Sequence, residues 1–387
     1  MIYLNNASTT KPDKEVLDDF MWCAENCWYN PSDIDAYGLD TKYIVQNAQK
    51  QIAVSINADW KEIVFTSGGS ESNNWAIKGY LDRYQGVKTI VTTEIEHPSV
   101  YNTCLYLKDK GYNVVYTPLN YFTNEVDVKR LEDLIAYNVL LFPLVSIMMA
   151  NNEIGTINNI KEISKIVHRY GGILHVDAVQ AYMHTKIDVK ELGIDMMSTS
   201  FHKINGLKGI GFLYVKDGIE LSPLIHGGKQ FDYRRSGTEN VPAIYAFGNQ
   251  VERKSIELER DIVITTASRE YMYNKICAEC KGVCEVYLNG HKENRLPGNL
   301  SLTFDGIDAD RLIALLEIDG FVVSAGSACC SGEKTPSRVL KAIGLNDEEA
   351  FNTIRISIDK NITKKEIDSF VDALVRCIKS LKEFGLD

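Results

Sequence analysis

The sequence lacks features that mark several large classes of proteins. It contains no run of about 18 uncharged apolar residues that could span a membrane, and residues 1–6 show no cationic segment followed by an apolar one. It also has no basic stripe or lysine-rich tail, and its net charge of −10 disfavours direct binding to nucleic acid. These absences predict a cytoplasmic protein whose partners are small molecules or other proteins, with no membrane and no nucleic acid.

The nine cysteines do not indicate a disulfide framework, because their number is odd and the chain shows no export signal. Reduced thiols are therefore expected. Cys277, Cys280 and Cys284 have a spacing that could suggest a metal site. However, the spacing also matches one buried face of a predicted helix, and no complementary Cys or His pair follows. No metal site is predicted.

What the sequence does contain is an alternation of short apolar runs and amphipathic stretches. A chain of 387 residues with 45% hydrophobic content can bury substantial cores, and its length predicts about two to three domains. Strands joined by helical crossovers form a mostly parallel sheet, so the pattern predicts an α/β fold. The predicted strands are residues 62–66, 89–93, 114–117, 139–147, 173–177 and 210–215.

The alternation weakens after about residue 250. There a long charged helical stretch is followed by a predicted strand at 300–304 and a predicted helix at 308–319. Thr363 and Glu366 can form a capping box for a final amphipathic helix. This part of the chain is predicted to be a second, smaller α+β domain.

Two segments carry groups at positions where an α/β sheet collects its ligands. Residues 65–71 run from a predicted strand through Gly68 and Gly69 into a predicted helix, and the free N–H groups at a helix N-terminus suit a phosphate. Asp177 ends a predicted buried strand. Its carboxylate could pair with a protonated pyridine nitrogen, or it could cap a helix. The residues alone leave both interpretations open.

Two further residues suit cofactor chemistry. Lys203 lies between two apolar runs, and a lysine whose site lowers its pKa is the residue type that forms a Schiff base. His97 follows the predicted strand at 89–93, where an imidazole could stack on an aromatic cofactor and exchange protons. Taken singly, a solvated surface lysine and a structural histidine are equally simple explanations.

Taken together and in this order, the four segments match a known pattern. The chain resembles fold-type I enzymes of the class V aminotransferase superfamily, which depend on pyridoxal 5'-phosphate (PLP). Within that superfamily it resembles the cysteine desulfurases of the iron-sulfur-cluster and nitrogen-fixation type. The resemblance extends from residues 3–10 to residues 354–357 and rests on at least eight spaced motifs, so it implies an α/β fold of the PLP-dependent transferase type.

The resemblance implies a role for each site residue. Lys203 would carry the cofactor as a Schiff base, Asp177 would face the pyridine nitrogen, and His97 would stack on the ring. Asn152 and Gln180 would approach the ring hydroxyl. The phosphate would be held by Gly69, Ser70, Ser200 and His202.

The resemblance also implies domain limits and an assembly. Residues 12–252 would form the large PLP-binding domain, and residues 1–11 and 253–387 would form the small domain that carries the catalytic cysteine. Thr238 would reach the phosphate of the neighbouring subunit's cofactor. A homodimer with active sites at its interface is therefore expected.

A desulfurase also needs a nucleophile that can reach the sulfur of its substrate. Residues 324–332 contain small residues and two glycines around Cys329 and Cys330, which predicts a mobile loop. The family's catalytic cysteine aligns with Cys329, whereas the role of Cys330 stays open. By resemblance, Arg355 and Asn152 would bind the substrate L-cysteine, and Cys329 would take its sulfur as a persulfide and leave L-alanine. A sulfur-acceptor protein, either an iron-sulfur scaffold or a sulfur carrier, would then receive the sulfur.

Five positions depart from the family's pattern, in segments that the family places near the cofactor entrance, the dimer contact or the carboxylate anchor. They are Asp35, Lys229, Phe231, Tyr233 and Asp359. A selenocysteine lyase or a C–S lyase of the same superfamily therefore stays an alternative. A non-catalytic partner-binding scaffold also stays an alternative. It belongs to a different class of protein and would have a broken cofactor site.

Overall fold

The computed structural model describes residues 1–137, 143–325 and 335–383, apart from the side chain of Tyr137. The strands are β1 (Ile2–Tyr3), β2 (Ile63–Thr66), β3 (Thr89–Thr92), β4 (Asn113–Tyr116), β5 (Leu144–Met148), β6 (Ile173–Asp177), β7 (Met196–Ser198), β8 (Gly211–Val215), β9 (Val286–Leu288), β10 (Asn299–Phe304), β11 (Phe321–Val322), β12 (Ser324–Ala325) and β13 (Thr353–Ser357). The helices are α1 (Lys14–Asn26), α2 (Ala36–Ser55), α3 (Gly69–Arg83), α4 (Pro98–Asp109), α5 (Val128–Tyr137), α6 (Ile160–Arg169), α7 (Val189–Leu192), α8 (Val241–Glu279), α9 (Ala309–Ile318), α10 (Arg338–Ala342), α11 (Asp347–Phe351) and α12 (Lys364–Glu383).

Seven strands form the large sheet, in the order β2-β8-β7-β6-β5-β3-β4. Only β8 among them runs antiparallel to its neighbours, so the predicted mostly parallel α/β sheet is confirmed. The sequence pattern missed β7, because its three residues are too few to form a recognisable apolar run.

Apolar side chains fill both faces of the large sheet. Along β2, Ile63 and Phe65 belong to one core cluster, whereas Val64 belongs to another. Successive side chains of a strand point to opposite faces, so the two clusters lie on the two sides of the sheet. Helices cover both clusters, which explains why the strands read as continuous apolar runs in the sequence.

A second core forms around the antiparallel sheet β12-β13-β10-β9. Leu4 belongs to this core, because β1 near the start of the chain pairs with β11. The capping box predicted for α12 is present, since the backbone N–H of Thr363 donates to Glu366 (2.8 Å) and that of Glu366 to Thr363 (3.2 Å). The proposed domain boundary at residue 252 falls inside the continuous helix α8 and stays a prediction.

The cysteines near the end of α8 differ in part from the prediction. Cys277 lies in α8 and Cys280 is its C-cap, but Cys284 lies beyond the helix end, so the prediction of one helix face was wrong for Cys284. Across the described ranges, no group of three or more His, Cys, Asp or Glu side chains could hold a metal ion. No helix in the described part of the chain is long and apolar enough to cross a membrane.

Candidate active site

The predicted site residues meet at one edge of the large sheet, where four neighbouring parallel strands end. Asp177 is the last residue of β6, and His97 follows β3 as the N-cap of α4. Asn152 follows β5, and Ser200 follows β7. Lys203 ends the short 3-10 helix Phe201–Lys203 directly after Ser200. The crossover topology therefore collects these residues at the carboxyl ends of the strands.

The start of α3 lies against Ser200. A Cβ atom on Gly69 would lie only 2.6 Å from Cγ2 of Val179, so no larger residue fits there. Gly68 has φ of +142°, a backbone conformation that residues other than glycine rarely adopt. A Cβ atom on it would lie 3.5 Å from Oγ of Ser200. The first turn of a helix leaves backbone N–H groups without helical partners. This turn, Ser70 and Ser200 could together hold a phosphate.

Both carboxylate oxygens of Asp177 accept hydrogen bonds. Oδ1 accepts the backbone N–H of Val179 at 3.0 Å, which caps the turn after β6. Oδ2 accepts Nδ2 of Asn73 at 2.7 Å. The helix-cap interpretation of Asp177 was wrong, because a turn and not a helix follows β6, and Oδ1 caps that turn. The carboxylate can still face a ring nitrogen.

Lys203 points its amine at the start of the chain. Its Nζ donates to the backbone oxygens of Ala7 and Ser8, both at 2.6 Å. The pKa of Lys203 is lowered to about 8, mainly by burial and also by the charge of Arg355, while Asp177 opposes the shift. About a tenth of the Lys203 amines are then neutral at pH 7, far more than for an ordinary lysine, and the neutral amine is the nucleophile that a Schiff base requires.

Two neighbours of Lys203 also contact the first residues of the chain. Nε2 of Gln180 donates to the backbone oxygen of Ala7 at 2.9 Å. The ring Nδ1 of His202 lies 3.1 Å from Oγ1 of Thr9. Burial lowers the pKa of His202 to about 4, so this imidazole is neutral at neutral pH.

The guanidinium of Arg355 is buried on β13 but has no carboxylate partner among the residues described. Nη1 donates to the backbone oxygen of Asn152, and Nη2 donates to Oδ1 of Asn5 and Oγ of Ser8, all at 2.9 Å. Its Nε is buried and has no hydrogen-bond partner there. A cation whose contacts are all neutral is suited to bind the carboxylate of a ligand.

Not every predicted residue is brought into the site by a described side-chain contact. Cys329 lies outside the described residues. Asn152 meets Arg355 through its backbone oxygen only. The segment of Thr238 is held near α3 by a bidentate pair, in which Arg235 donates to Glu71 at 2.9 and 3.2 Å.

Local structure explains two of the five departures. Asp35 is the N-cap of α2, and its Oδ1 accepts the backbone N–H of Gly38 at 2.9 Å. Asp359 accepts the backbone N–H of Asn361 at 2.8 Å and so forms its own turn. Phe231 and Tyr233 have left-handed φ values of +48° and +64°. The ring of Phe231 packs edge-on against Phe65, with the ring centres 6.0 Å apart, and Nζ of Lys229 lies 5.6 Å from the centre of the Tyr233 ring.

Sequence reasoning missed four residues that hold this site together: Asn5, Ser8, Asn73 and Ser99. Asn73 carried a usable signal, because it lies three residues after Ser70 on α3 and therefore on the same helix face. Asn5 and Ser8 lie within residues 3–10, where the family resemblance begins, but no local pattern points to their partner Arg355, about 350 residues away along the chain.

The donor set fits the parts of PLP. The glycine turn at Gly68 and Gly69 could hold its phosphate, and the carboxylate of Asp177 could pair with its pyridine nitrogen. Lys203 has the partly neutral amine that reacts with its aldehyde. The three groups lie at one sheet edge. The anion site matches the phosphate, the carboxylate matches the ring nitrogen, and Lys203 matches the aldehyde.

Comparison with known proteins agrees with this arrangement. The family model described as aminotransferase class-V matches residues 2–370. A protein named cysteine desulfurase IscS, from Dictyoglomus turgidum, is 39% identical, and the match covers 98% of this chain and 95% of the relative.

Solved structures give the same result. One described as a NifS-like protein has a TM-score of 0.88 and 32% identity, and the match covers 99% of both chains. Another, described as SspA in complex with cysteine, has a TM-score of 0.80 and 33% identity, covering 94% of this chain and 100% of that one. This chain therefore belongs to the class-V aminotransferase family of PLP enzymes and, within it, to the cysteine desulfurases.

Proposed function

We propose that this protein is a PLP-dependent cysteine desulfurase that converts L-cysteine to L-alanine and keeps the sulfur as a persulfide on Cys329. One observation carries the proposal. Nζ of Lys203 donates to the backbone oxygen of Ser8 at 2.6 Å, and Nη2 of Arg355 donates to Oγ of the same residue at 2.9 Å. An amine for the cofactor and a cation for a carboxylate thus meet at one residue, which suits an α-amino acid.

The cofactor would be held by the residues at the sheet edge. Its phosphate would contact the first turn of α3 with Gly69 and Ser70, together with Ser200 and His202. Asp177 would face the pyridine nitrogen, with Asn152 and Gln180 near the ring hydroxyl and His97 against the ring. When bound, PLP withdraws electrons from the Cα atom of the substrate amino acid.

The chain's own groups would bind the substrate and move its protons. Arg355 would take the α-carboxylate of L-cysteine in the bidentate geometry of a guanidinium. The neutral amine of Lys203 would accept the proton from Cα, because its lowered pKa leaves part of it unprotonated near neutral pH.

Cys329 would take the sulfur. As a thiolate it would attack Sγ of the substrate and form an S–S bond while the Cβ–Sγ bond breaks, and a proton would then complete the methyl group of alanine. Support comes from the neighbouring strand, because residues 326–334 follow β12, in which Ser324 pairs with Arg355 of β13. The chain thus passes the carboxylate anchor shortly before it reaches Cys329.

The partners follow from the same proposal. L-cysteine as substrate is supported by the solved relative described as a complex with cysteine. A homodimer, with Thr238 reaching the neighbouring cofactor, is supported by an exposed apolar surface on and around α1 and α2. Its large exposed side chains include Leu17, Met21, Trp22, Trp28, Ile34, Tyr37, Leu39 and Tyr43. Large exposed apolar side chains concentrated in one stretch of the chain suit contact with a second copy.

The persulfide needs an acceptor. A thiol of a second protein, either an iron-sulfur scaffold or a sulfur carrier, would attack the outer sulfur and regenerate the Cys329 thiol. The reduced thiols that this exchange requires fit a cytoplasmic location.

The test measures alanine and sulfide released from L-cysteine in the presence of a thiol reductant, for the wild type and for Cys329→Ala, while the absorbance of bound PLP is recorded. The proposal predicts alanine from the wild type alone, with the PLP absorbance retained in the variant. If both proteins bind PLP and neither makes alanine, the substrate assignment is wrong. Selenium release from selenocysteine alone would indicate a selenocysteine lyase, and pyruvate in place of alanine a C–S lyase.

A further inference from the structure

A continuous chain of hydrogen bonds joins His97 to Asp177 through two residues that have no role so far. Nδ1 of His97 lies 2.7 Å from Oγ of Ser99. Nδ2 of Asn73 donates to the same Oγ at 2.8 Å and to Oδ2 of Asp177 at 2.7 Å. The residue proposed to stack on the cofactor ring is thereby connected to the residue proposed to face the ring nitrogen.

The direction of the two bonds that Asn73 makes in this chain is fixed by chemistry. The carboxylate of Asp177 can only accept, so the atom of Asn73 next to it must be the amide nitrogen. That nitrogen has a second hydrogen, which it donates to Oγ of Ser99. The hydroxyl of Ser99 then has its own hydrogen for Nδ1 of His97.

A second donor reaches the same ring atom. The backbone N–H of Ser99 donates to Nδ1 of His97 at 3.2 Å. Two donors converge on Nδ1, so this nitrogen could carry a proton of its own only if one of these hydrogen bonds were lost. In the neutral ring the proton must therefore be on Nε2.

The side chain of Asn73 makes its described hydrogen bonds through the amide nitrogen. Asn73 is buried, at 1% exposure, and its Oδ1 has no hydrogen-bond partner among the described residues. Leaving a buried carbonyl oxygen unpaired is costly. The two hydrogen bonds that Nδ2 donates, to Ser99 and to Asp177, offset this cost.

We propose that Asn73 and Ser99 are positioning residues that hold His97 in its Nε2–H tautomer and fix the carboxylate of Asp177 toward the cofactor. The inference deepens the proposed function and rests on it, because it assumes that His97 and Asp177 act on bound PLP. Neither positioning residue needs to touch the cofactor or the substrate. His97 presents a fixed donor, and Asp177 keeps one orientation.

Charged groups around His97 act on the same ring. The surrounding protein desolvates the ring and lowers its pKa although the side chain is partly open to solvent. Asp177 raises this pKa, whereas Lys203 and Arg338 lower it. The donors at Nδ1 act together with desolvation, because a donor to Nδ1 stabilises the ring without a proton on that atom.

Neutron diffraction from crystals of the PLP-loaded enzyme tests the tautomer directly. We expect deuterium on Nε2 of His97, none on Nδ1, and the hydroxyl deuterium of Ser99 directed at Nδ1. Deuterium on Nδ1 at neutral pH would overturn the inference. This readout does not depend on turnover, so it is separate from a failure of the proposed function, in which no alanine would form.

Variants at Ser99 test the consequence for the reaction. Ser99→Ala removes one donor from Nδ1, so we expect kcat to fall about fivefold, the effect of one neutral hydrogen bond. The pKa of His97 should rise in this variant, and the acid side of the kcat profile should move to higher pH. Ser99→Thr keeps the hydroxyl and should restore both.

Ser164→Ala is the matched control, because it removes a buried serine hydroxyl from α6, where Oγ bonds only the backbone oxygen of Lys161. Its kcat and pH profile should equal those of the wild type. If Ser99→Ala keeps the wild-type kcat and pH profile, Ser99 does not position His97 and the inference fails. A fall in kcat without any change in the pH profile, and without rescue by Ser99→Thr, would indicate a structural role only and would also overturn it.

Discussion

Lys203 and Gln180 donate hydrogen bonds to the same atom, the backbone oxygen of Ala7, at 2.6 and 2.9 Å. Ala7 lies in the first residues of the chain, and its backbone N–H is in turn bonded to Oγ of Ser357 on β13 at 2.9 Å. The start of the chain thus joins the lysine at the large sheet to the strand that carries Arg355. This short segment therefore sets the positions of the Lys203 amine and of Arg355, the proposed carboxylate anchor, and the spacing between them.

The lowered pKa of Lys203 predicts how fast the enzyme without cofactor takes up PLP. Only the neutral amine reacts with an aldehyde, so the rate should rise with pH with a midpoint of about 8. An ordinary lysine would give a midpoint near 10.5. The rate is measured from the growth of the PLP absorbance between pH 6.5 and 10, and Lys203→Ala, which should show no such absorbance change, is the control. A midpoint near that of an ordinary lysine would contradict the site geometry.

Arg355→Lys should weaken the binding of L-cysteine. A lysine has one compact charge in place of a planar fork, and a lost hydrogen bond to a charged group costs about 2 kcal/mol, so KM should rise about 30-fold. Steady-state alanine formation measures KM and kcat separately. Arg376→Lys, at the exposed ion pair with Asp319, is the matched control and should leave KM unchanged. A normal KM in Arg355→Lys with intact PLP absorbance would exclude Arg355 as the carboxylate anchor.

The sequence predicted which residues lie at the edge of the large sheet better than it predicted the contacts between residues far apart in the chain. The strand predicted at 173–177 matches β6, and Asp177 stands at its end because a buried parallel strand is a continuous apolar run. By contrast, the contact between Ser8 and Arg355 joins residues 347 apart in the chain, so no local pattern announces it. The residue Cys329, which family resemblance alone identified, lies outside the described residues.

A buried carboxyl group beside the site predicts a pH-dependent stability. Glu96 is fully buried, and desolvation raises its pKa from 4.5 to about 8. Between these two values the folded protein holds a proton that the unfolded chain releases, so stability is lost as the pH rises through about 8.

Glu96→Gln removes this titration and should melt at a higher temperature than the wild type at pH 8.5, with a smaller difference at pH 5, both pH values chosen as roughly the ends of that window. Melting temperatures across this range measure the effect. The exposed neighbour Glu94→Gln is the control and should follow the wild type at every pH. Parallel melting curves for the wild type and Glu96→Gln would show that Glu96 is not protonated in the folded protein.

Asp35 should act as a helix cap and stabilise α2. Its carboxylate accepts the backbone N–H of Gly38, and loss of a cap costs about 1 kcal/mol, so Asp35→Ala should melt roughly 2 °C lower. Asp35→Asn keeps an oxygen for the same bond and should melt close to the wild type. Equal melting temperatures for the alanine variant and the wild type would disprove the capping role.

Cys329 is proposed to receive the sulfur of L-cysteine. The most direct measurement is mass spectrometry of the peptide containing Cys329, after the PLP-loaded enzyme has reacted with one equivalent of L-cysteine without reductant. We expect a mass increase of one sulfur atom on Cys329, together with one alanine released per sulfur bound. Alanine released while the added sulfur is found on another cysteine, or on none, would contradict it.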